Sequence, residues 1–147
     1  MKTNVSPLLS LAVLVTATAC NSSPLARSEA AFDRTAQVLC SSCPQVAGVL
    51  TTAECLARVE MNDPFEGPSW ECQEDAYALY PSELGPYYDC IAGVVERYES
   101  CVRRALDTCP PPSRVTMACN DALAAGIAAC PRPTSSEANT ALAACFR

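Results

Sequence analysis

The chain has 147 residues, with 11 Cys, no His, and ten Lys plus Arg against sixteen Asp plus Glu, a formal charge of −6. That length suits a single domain, and the lack of His removes Ser-His-Asp triads, His general bases and His-ligated zinc. The acidic balance argues against a nucleic-acid partner, which wants a basic face.

Met1-Lys2 is a short positive start, and Pro7 to Val15 is an apolar run that ends in Thr16-Ala17-Thr18-Ala19-Cys20. A charged start, an apolar stretch of ~7–15 residues and small residues at a cleavage site describe a secretory signal peptide. The run falls short of the ~20 apolar residues of a spanning helix. Ala17-Thr18-Ala19-Cys20 also resembles the lipobox of bacterial lipoproteins, with Ala17 where that motif most often has Leu. The resemblance implies that Cys20 is the lipid-modified first residue of the mature protein. It also implies that Asn21, in place of Asp, favours the outer membrane over the inner. The alternative is an ordinary small-x-small cleavage site beside an incidental Cys20, giving a secreted, non-lipidated protein.

Cysteine parity separates these readings. Disulfides take cysteines in pairs, and an odd one in an exported protein needs an explanation. A lipidated Cys20 leaves ten cysteines for five bridges. Removing residues 1–19 also removes Lys2, the only lysine, and leaves nine Arg against sixteen carboxylates. Schiff-base and Ser-Lys chemistry go with it. The expected organisation is a signal peptide over 1–19, an anchor and tether over 20–23, and one Cys-rich helical domain over 24–147.

No stretch alternates as a strand does, and helix punctuation is frequent. Ser23-Pro24 reads as an N-cap followed by proline at the first helical position. It opens a helix over 24–41, with Leu25, Phe32, Ala36 and Leu39 at helical spacing. Thr51 to Glu54 is a capping box that opens a helix to about Met61. The prolines and glycine of 62–68 mark a loop. Ser69 can cap a helix over 70–80, which Pro81 ends. Pro86 begins the longest helix, to about 108, and Pro110-Pro111-Pro112 stops it. Ser113 opens the next, to about Cys130. Thr134 to Glu137 is a second capping box before a final helix. The expected fold is all-α, a small disulfide-stapled bundle of about six short helices that contains an antiparallel helical hairpin.

Cys90 and Cys101 are eleven residues apart, and so are Cys119 and Cys130. At ~100° per residue, eleven steps overshoot three turns by only ~20°, so each pair shares one helix face. Both Cys101/Cys119 and Cys90/Cys130 are symmetric about position 110, inside the proline turn. An antiparallel hairpin therefore makes Cys101–Cys119 and Cys90–Cys130 two rungs, ~16 Å apart at ~1.5 Å per residue. Tyr87, Ile91, Val94, Tyr98 and Ala105 share the cysteine face of one helix. Leu123, Gly126 and Ile127 share that of the other. Gly93 and Gly126 fall at nearly one level, which predicts close backbone approach there at the cost of mid-helix glycine. The two rungs resemble the twin-cysteine motif of the mitochondrial coiled-coil-helix-coiled-coil-helix proteins, whose helices typically carry one residue fewer between cysteines. The likeness covers about 86–131 and reads as convergent geometry; no activity is carried over from it.

If the last helix runs back along its predecessor, Cys145 approaches Cys109, which predicts Cys109–Cys145. Cys40, Cys43, Cys55 and Cys72 then allow three connectivities. A hairpin centred near 47 favours Cys40–Cys55 and leaves Cys43–Cys72.

Three functional patterns remain. Cys40-Ser41-Ser42-Cys43 has the C-x-x-C spacing of thiol–disulfide oxidoreductases, but it sits at a helix C-terminus, where the dipole disfavours a thiolate. An envelope oxidoreductase using Cys40/Cys43 is thus the alternative to a non-enzymatic protein. Cysteine-only zinc at Cys40, Cys43, Cys55 and Cys72 is disfavoured in an oxidising compartment. Residues 60–99 hold ten of the sixteen acids and seven of the nine aromatics. There Trp70, Tyr77 and Tyr80 with Glu71, Glu74 and Asp75 form a candidate surface for a glycan, a cationic peptide or a basic protein. Paired carboxylates could serve glycoside hydrolysis, yet no spacing singles out a pair. The expectation is a lipid-anchored envelope protein that binds or scaffolds a protein or glycan. It has no catalytic residue, metal or cofactor, and its membrane partner is reached through the N-terminal lipid.

Overall fold

Proline at the first helical position opens α1 (Pro24–Ser42), α3 (Pro68–Leu79) and α4 (Pro81–Ala105), where its fixed φ fits and its missing N–H leaves nothing unpaired. The remaining helices are α2 (Thr52–Glu60), α5 (Ser113–Ala128) and α6 (Ser136–Ala144). A 3₁₀ turn over Pro44–Ala47 follows α1. These elements come from a computed structural model that describes residues 23–61 and 67–146. The signal peptide, Cys20 with most of its tether, and the loop residues 62–66 with Phe65 lie outside the described residues. Among the described residues there is no strand, and the all-α, disulfide-stapled bundle is the fold.

Local chemistry explains the helix starts. The Ser23 hydroxyl accepts from the Ala26 amide. Thr51 accepts from the Glu54 amide while the Glu54 carboxylate accepts from the Thr51 amide, the reciprocal pair of a capping box. The Thr51 hydroxyl also donates to the Glu54 carboxylate, and with the Thr51 amide it holds that carboxyl below its usual range. The second capping position is Ser135 rather than Thr134, its hydroxyl accepting from the Ala138 amide. Ser69 caps nothing: α3 begins after Gly67, whose φ of 86° is natural only for glycine. The longest helix starts at Pro81, five residues before the expected Pro86. Burial of Leu84 favours that extra turn, and Pro86 gives up only the bond to the Ser82 carbonyl. Tyr80 alone separates α3 from α4, donating its amide to Ala76 and accepting from Leu84.

α4 is the central helix, and α1, α5 and α3 pack on it. α5 returns antiparallel, joined by Cys101–Cys119 and Cys90–Cys130 with Cα separations of 5.8 and 5.6 Å. Cys40–Cys55 ties α1 to α2. Those three bridges are the expected ones. Cys109–Cys145 and Cys43–Cys72 are not formed: Cys43 pairs with Cys109, and Cys72 with Cys145. Both errors share one cause. α6 does not run back along α5 but docks on α3, where the Ser69 hydroxyl donates to the Cys145 carbonyl.

The packing of α1 along α4 was not expected from the sequence. It is parallel: Arg27 meets Asp89, Arg34 meets Glu99 and Cys43 meets Cys109, both numbers rising together. The buried face of α1 is Leu25, Ser28, Ala31 and Thr35, rotated from the expected Leu25-Phe32-Ala36-Leu39 stripe. Small residues let the helices approach closely. The hydroxyls of Ser28 and Thr35 satisfy themselves on the Pro24 and Ala31 carbonyls. Glu99, only 13 % exposed at its side chain, accepts from Arg103 and Arg34, and the two guanidiniums hold its carboxyl below the usual range.

Of the two hairpin glycines, only Gly126 marks a close approach. A Cβ there would lie 2.8 Å from Val94 Cγ1, whereas one at Gly93 would meet only the Arg97 guanidinium at 3.5 Å. The two alanine substitutions should therefore act in opposite directions. Gly93→Ala should raise stability by up to ~1 kcal/mol through helix propensity. Gly126→Ala should lower it, because overpacking against the stiff, buried Val94 costs ~1–3 kcal/mol. Urea midpoints of the two variants check the contrast.

Candidate binding groove

The aromatic residues of α3 turn inward and its acids turn outward. Trp70, Gln73 and Tyr77 recur at i, i+3 and i+7 and share one face; Glu71 and Asp75 fall on the other, and Glu74, four residues from Trp70, lies at the edge between them. Trp70 is 7 % exposed and Tyr77 and Tyr80 are half-buried against the core, while Glu71, Glu74 and Asp75 are exposed. The expected tyrosine–carboxylate surface is thus divided between the two sides of one helix. Tyr88, 1 % exposed, stands at the centre of the aromatic cluster. Tyr77 and Tyr87 meet it edge to face, with ring centroids 5.7 and 5.2 Å away. Its hydroxyl donates to Gln73 Oε1 at 3.1 Å, and the Gln73 amide donates to the Ser69 carbonyl. Burial pushes the Tyr88 hydroxyl far above its ordinary pKa, with the Tyr87 charge adding to it.

Beside this cluster α1 and α5 flank α4 without closing over it, and an apolar groove of about 350 Å³ opens between them. That volume lies near the lower end of the ~300–1,000 Å³ of small-ligand sites. Its floor is one stripe of α4: Tyr87, Ile91, Val95 and Tyr98. Phe32 forms the α1 wall, and Leu123 and Ile127 the α5 wall. Trp70 and Phe146 stand at one end. Phe146, 62 % exposed, and Ile127, 38 % exposed, leave apolar surface on the rim. Two of its three tyrosine hydroxyls are engaged within the protein: Tyr88 donates to Gln73, and Tyr98 donates to Asn120 at 3.1 Å. The groove therefore suits a ligand that needs burial more than hydrogen bonds.

Tyr87, Ile91 and Tyr98 of the floor and the α5 wall were legible as the inner face of the hairpin, whereas the expected Val94 packs on Gly126 and Val95 lines the groove in its place. Trp70 was legible as a candidate binding residue, but its meeting with Phe32 and Phe146 was not, because tertiary packing alone brings them together. Cys40 and Cys43 do not pair with each other. Each is fully buried in a bridge to another element, Cys40 to Cys55 and Cys43 to Cys109. A C-x-x-C exchange centre needs its two sulfurs to exchange with one another, so this geometry does not favour the oxidoreductase alternative. With Cys72 bonded to Cys145, the four cysteines do not converge as a ligand set either.

The five disulfides are compatible with an exported, non-cytoplasmic protein. Among the described residues no helix is long and apolar enough to cross a membrane. No protein-family model matches the chain, and no curated protein or solved structure matches it significantly.

Proposed function

We propose that this is a lipid-anchored protein of the cell envelope, held in the outer membrane by Cys20, that works as a non-enzymatic binding or scaffolding module. The observation that carries the reading is the cysteine count. Five disulfides occupy ten of the eleven cysteines, and the one left over is the residue on which the lipobox-like segment ends. Two independent patterns, parity and the signal, thus single out the same residue.

The binding part of the proposal rests on the groove, whose exposed aromatic and aliphatic rim is the kind of surface that takes an apolar partner. The tether that this reading gives is short. Three or four extended residues between Cys20 and Pro24 reach ~14 Å at most, which would hold the domain against the bilayer surface.

Growth with labelled palmitate tests the anchor. The mature protein is expected to carry the label, and Cys20→Ala to lose it. Label that persists in Cys20→Ala would refute Cys20 as the lipidated residue.

A further inference from the structure

We propose that the groove between α1 and α5 is an acyl-chain site and that its occupant is the protein's own N-terminal lipid, folded back from Cys20. The inference rests on the anchor reading above and adds what the groove binds.

The first argument is placement. α1 runs parallel to α4, so its first turn lies level with the end of the groove where Trp70 stands. Leu25, two residues beyond Ser23, belongs to the same buried cluster as Trp70, Tyr87 and Tyr88. Cys20 is only three residues before Ser23, a reach of ~10 Å at ~3.3–3.6 Å per residue. An acyl chain on Cys20 would start beside this end and could follow the α4 stripe from Tyr87 to Tyr98. That path is ~16 Å at ~1.5 Å per residue. The attachment makes docking intramolecular, with the high effective concentration of a short tether.

The second argument is chemistry. A hydrocarbon brings no donor or acceptor, and the Tyr88 and Tyr98 hydroxyls and the Gln73 amide in the groove are already engaged within the protein. A glycan would leave most of its hydroxyls without partners there, at a desolvation cost for each. The acids of α3 that could have received a cationic ligand are exposed and do not line the groove. The consequence is a lipoprotein with one chain sheltered by its own domain and the rest of its anchor left for the bilayer.

Trp70 is the chain's only tryptophan and stands at the groove, so it reports occupancy. A dansyl-labelled fatty acid is added to the full chain in phosphatidylcholine vesicles, and energy transfer from Trp70 is followed. Mass analysis of the N-terminal peptide establishes the lipid. The Cys20→Ser chain, with its groove open, is expected to show saturable transfer. The native lipidated chain should show several-fold less at the same probe concentration. Ile127→Arg, a charge on the α5 wall, should abolish transfer in the Cys20→Ser background while helicity by circular dichroism is retained. Should Ile127→Arg lose helicity, Phe146→Arg on the exposed rim takes its place. Equal transfer in the native and Cys20→Ser chains would overturn the proposal and leave a groove open to outside lipid. Absence of transfer in both would overturn the acyl-chain site altogether. Absence of lipid on Cys20 would overturn the anchor reading and this inference with it, whereas lipid with equal transfer overturns this inference alone.

Discussion

Replacing Cys72 and Cys145 together by alanine is expected to destabilise the domain by about 4 kcal/mol, and replacing Cys40 and Cys55 by about 3 kcal/mol, as the entropy of the closed loops predicts. The two bridges span 73 and 15 residues. The larger effect also has a location. α6 has only nine residues, too few for an isolated helix to persist in water, and it is fastened by Cys72–Cys145 and the Ser69–Cys145 hydrogen bond. Amide hydrogen exchange in the Cys72→Ala/Cys145→Ala protein should therefore quicken first over residues 136–144. Denaturant unfolding of both double variants measures the magnitudes. Equal losses, or protection retained across α6, would count against the long-loop pairing. Disulfide mapping of the native protein should give Cys43–Cys109 and Cys72–Cys145 and no free thiol among these ten cysteines.

Tyr88→Ala should be the costliest single truncation of the aromatic cluster, at about 3–5 kcal/mol for a large buried ring. Tyr88→Phe keeps the ring and its two edge-to-face neighbours and removes only the hydroxyl. It should cost about 1–2 kcal/mol through the unpaired Gln73 oxygen. The hydroxyl also predicts a pH dependence. In the unfolded chain a tyrosine ionises near pH ~10, whereas in the folded protein burial raises the Tyr88 pKa well beyond that. Above pH ~10 the unfolded state thus binds fewer protons than the native one, and stability falls as pH rises. It is fully present below that range. The slope contributed by one such group approaches ~1.4 kcal/mol per pH unit. Tyr98, raised by burial as well, adds in the same direction. Tyr88→Phe should flatten the alkaline decline, so that its deficit against the native protein shrinks as pH rises. Urea midpoints measured on both sides of pH 10, with ultraviolet titration of the tyrosines, check this; a deficit constant across that range would contradict it.

What the sequence by itself determined is everything carried by local rules. Proline and hydroxyl caps act within one turn, so the starts of α1, α2 and α5 were legible to about a residue. Helical periodicity and symmetry about a single proline turn are also local, and they suffice for Cys101–Cys119, Cys90–Cys130 and, across a short loop, Cys40–Cys55. The inward face of the hairpin followed from the same arithmetic. Tertiary structure alone decided which non-adjacent helices meet. α1 lies along α4 because small residues permit close approach, with the Arg27 and Arg34 pairs and Cys43–Cys109 spanning the two helices in parallel. A stripe of Leu, Ser, Ala and Thr has no apolar periodicity to announce it. α6 leaves α5 for α3, so Cys145 finds Cys72, and Cys109 is left to Cys43 at the end of α1. Packing of α3 on α4 turns Trp70, Tyr77 and Tyr80 from a candidate surface into core and groove, while α1 brings Phe32 and the end of α6 brings Phe146 to its edges. Composition places aromatics and acids in one segment, but the 100° step of a helix separates them. Only packing against α4 decides which side faces in.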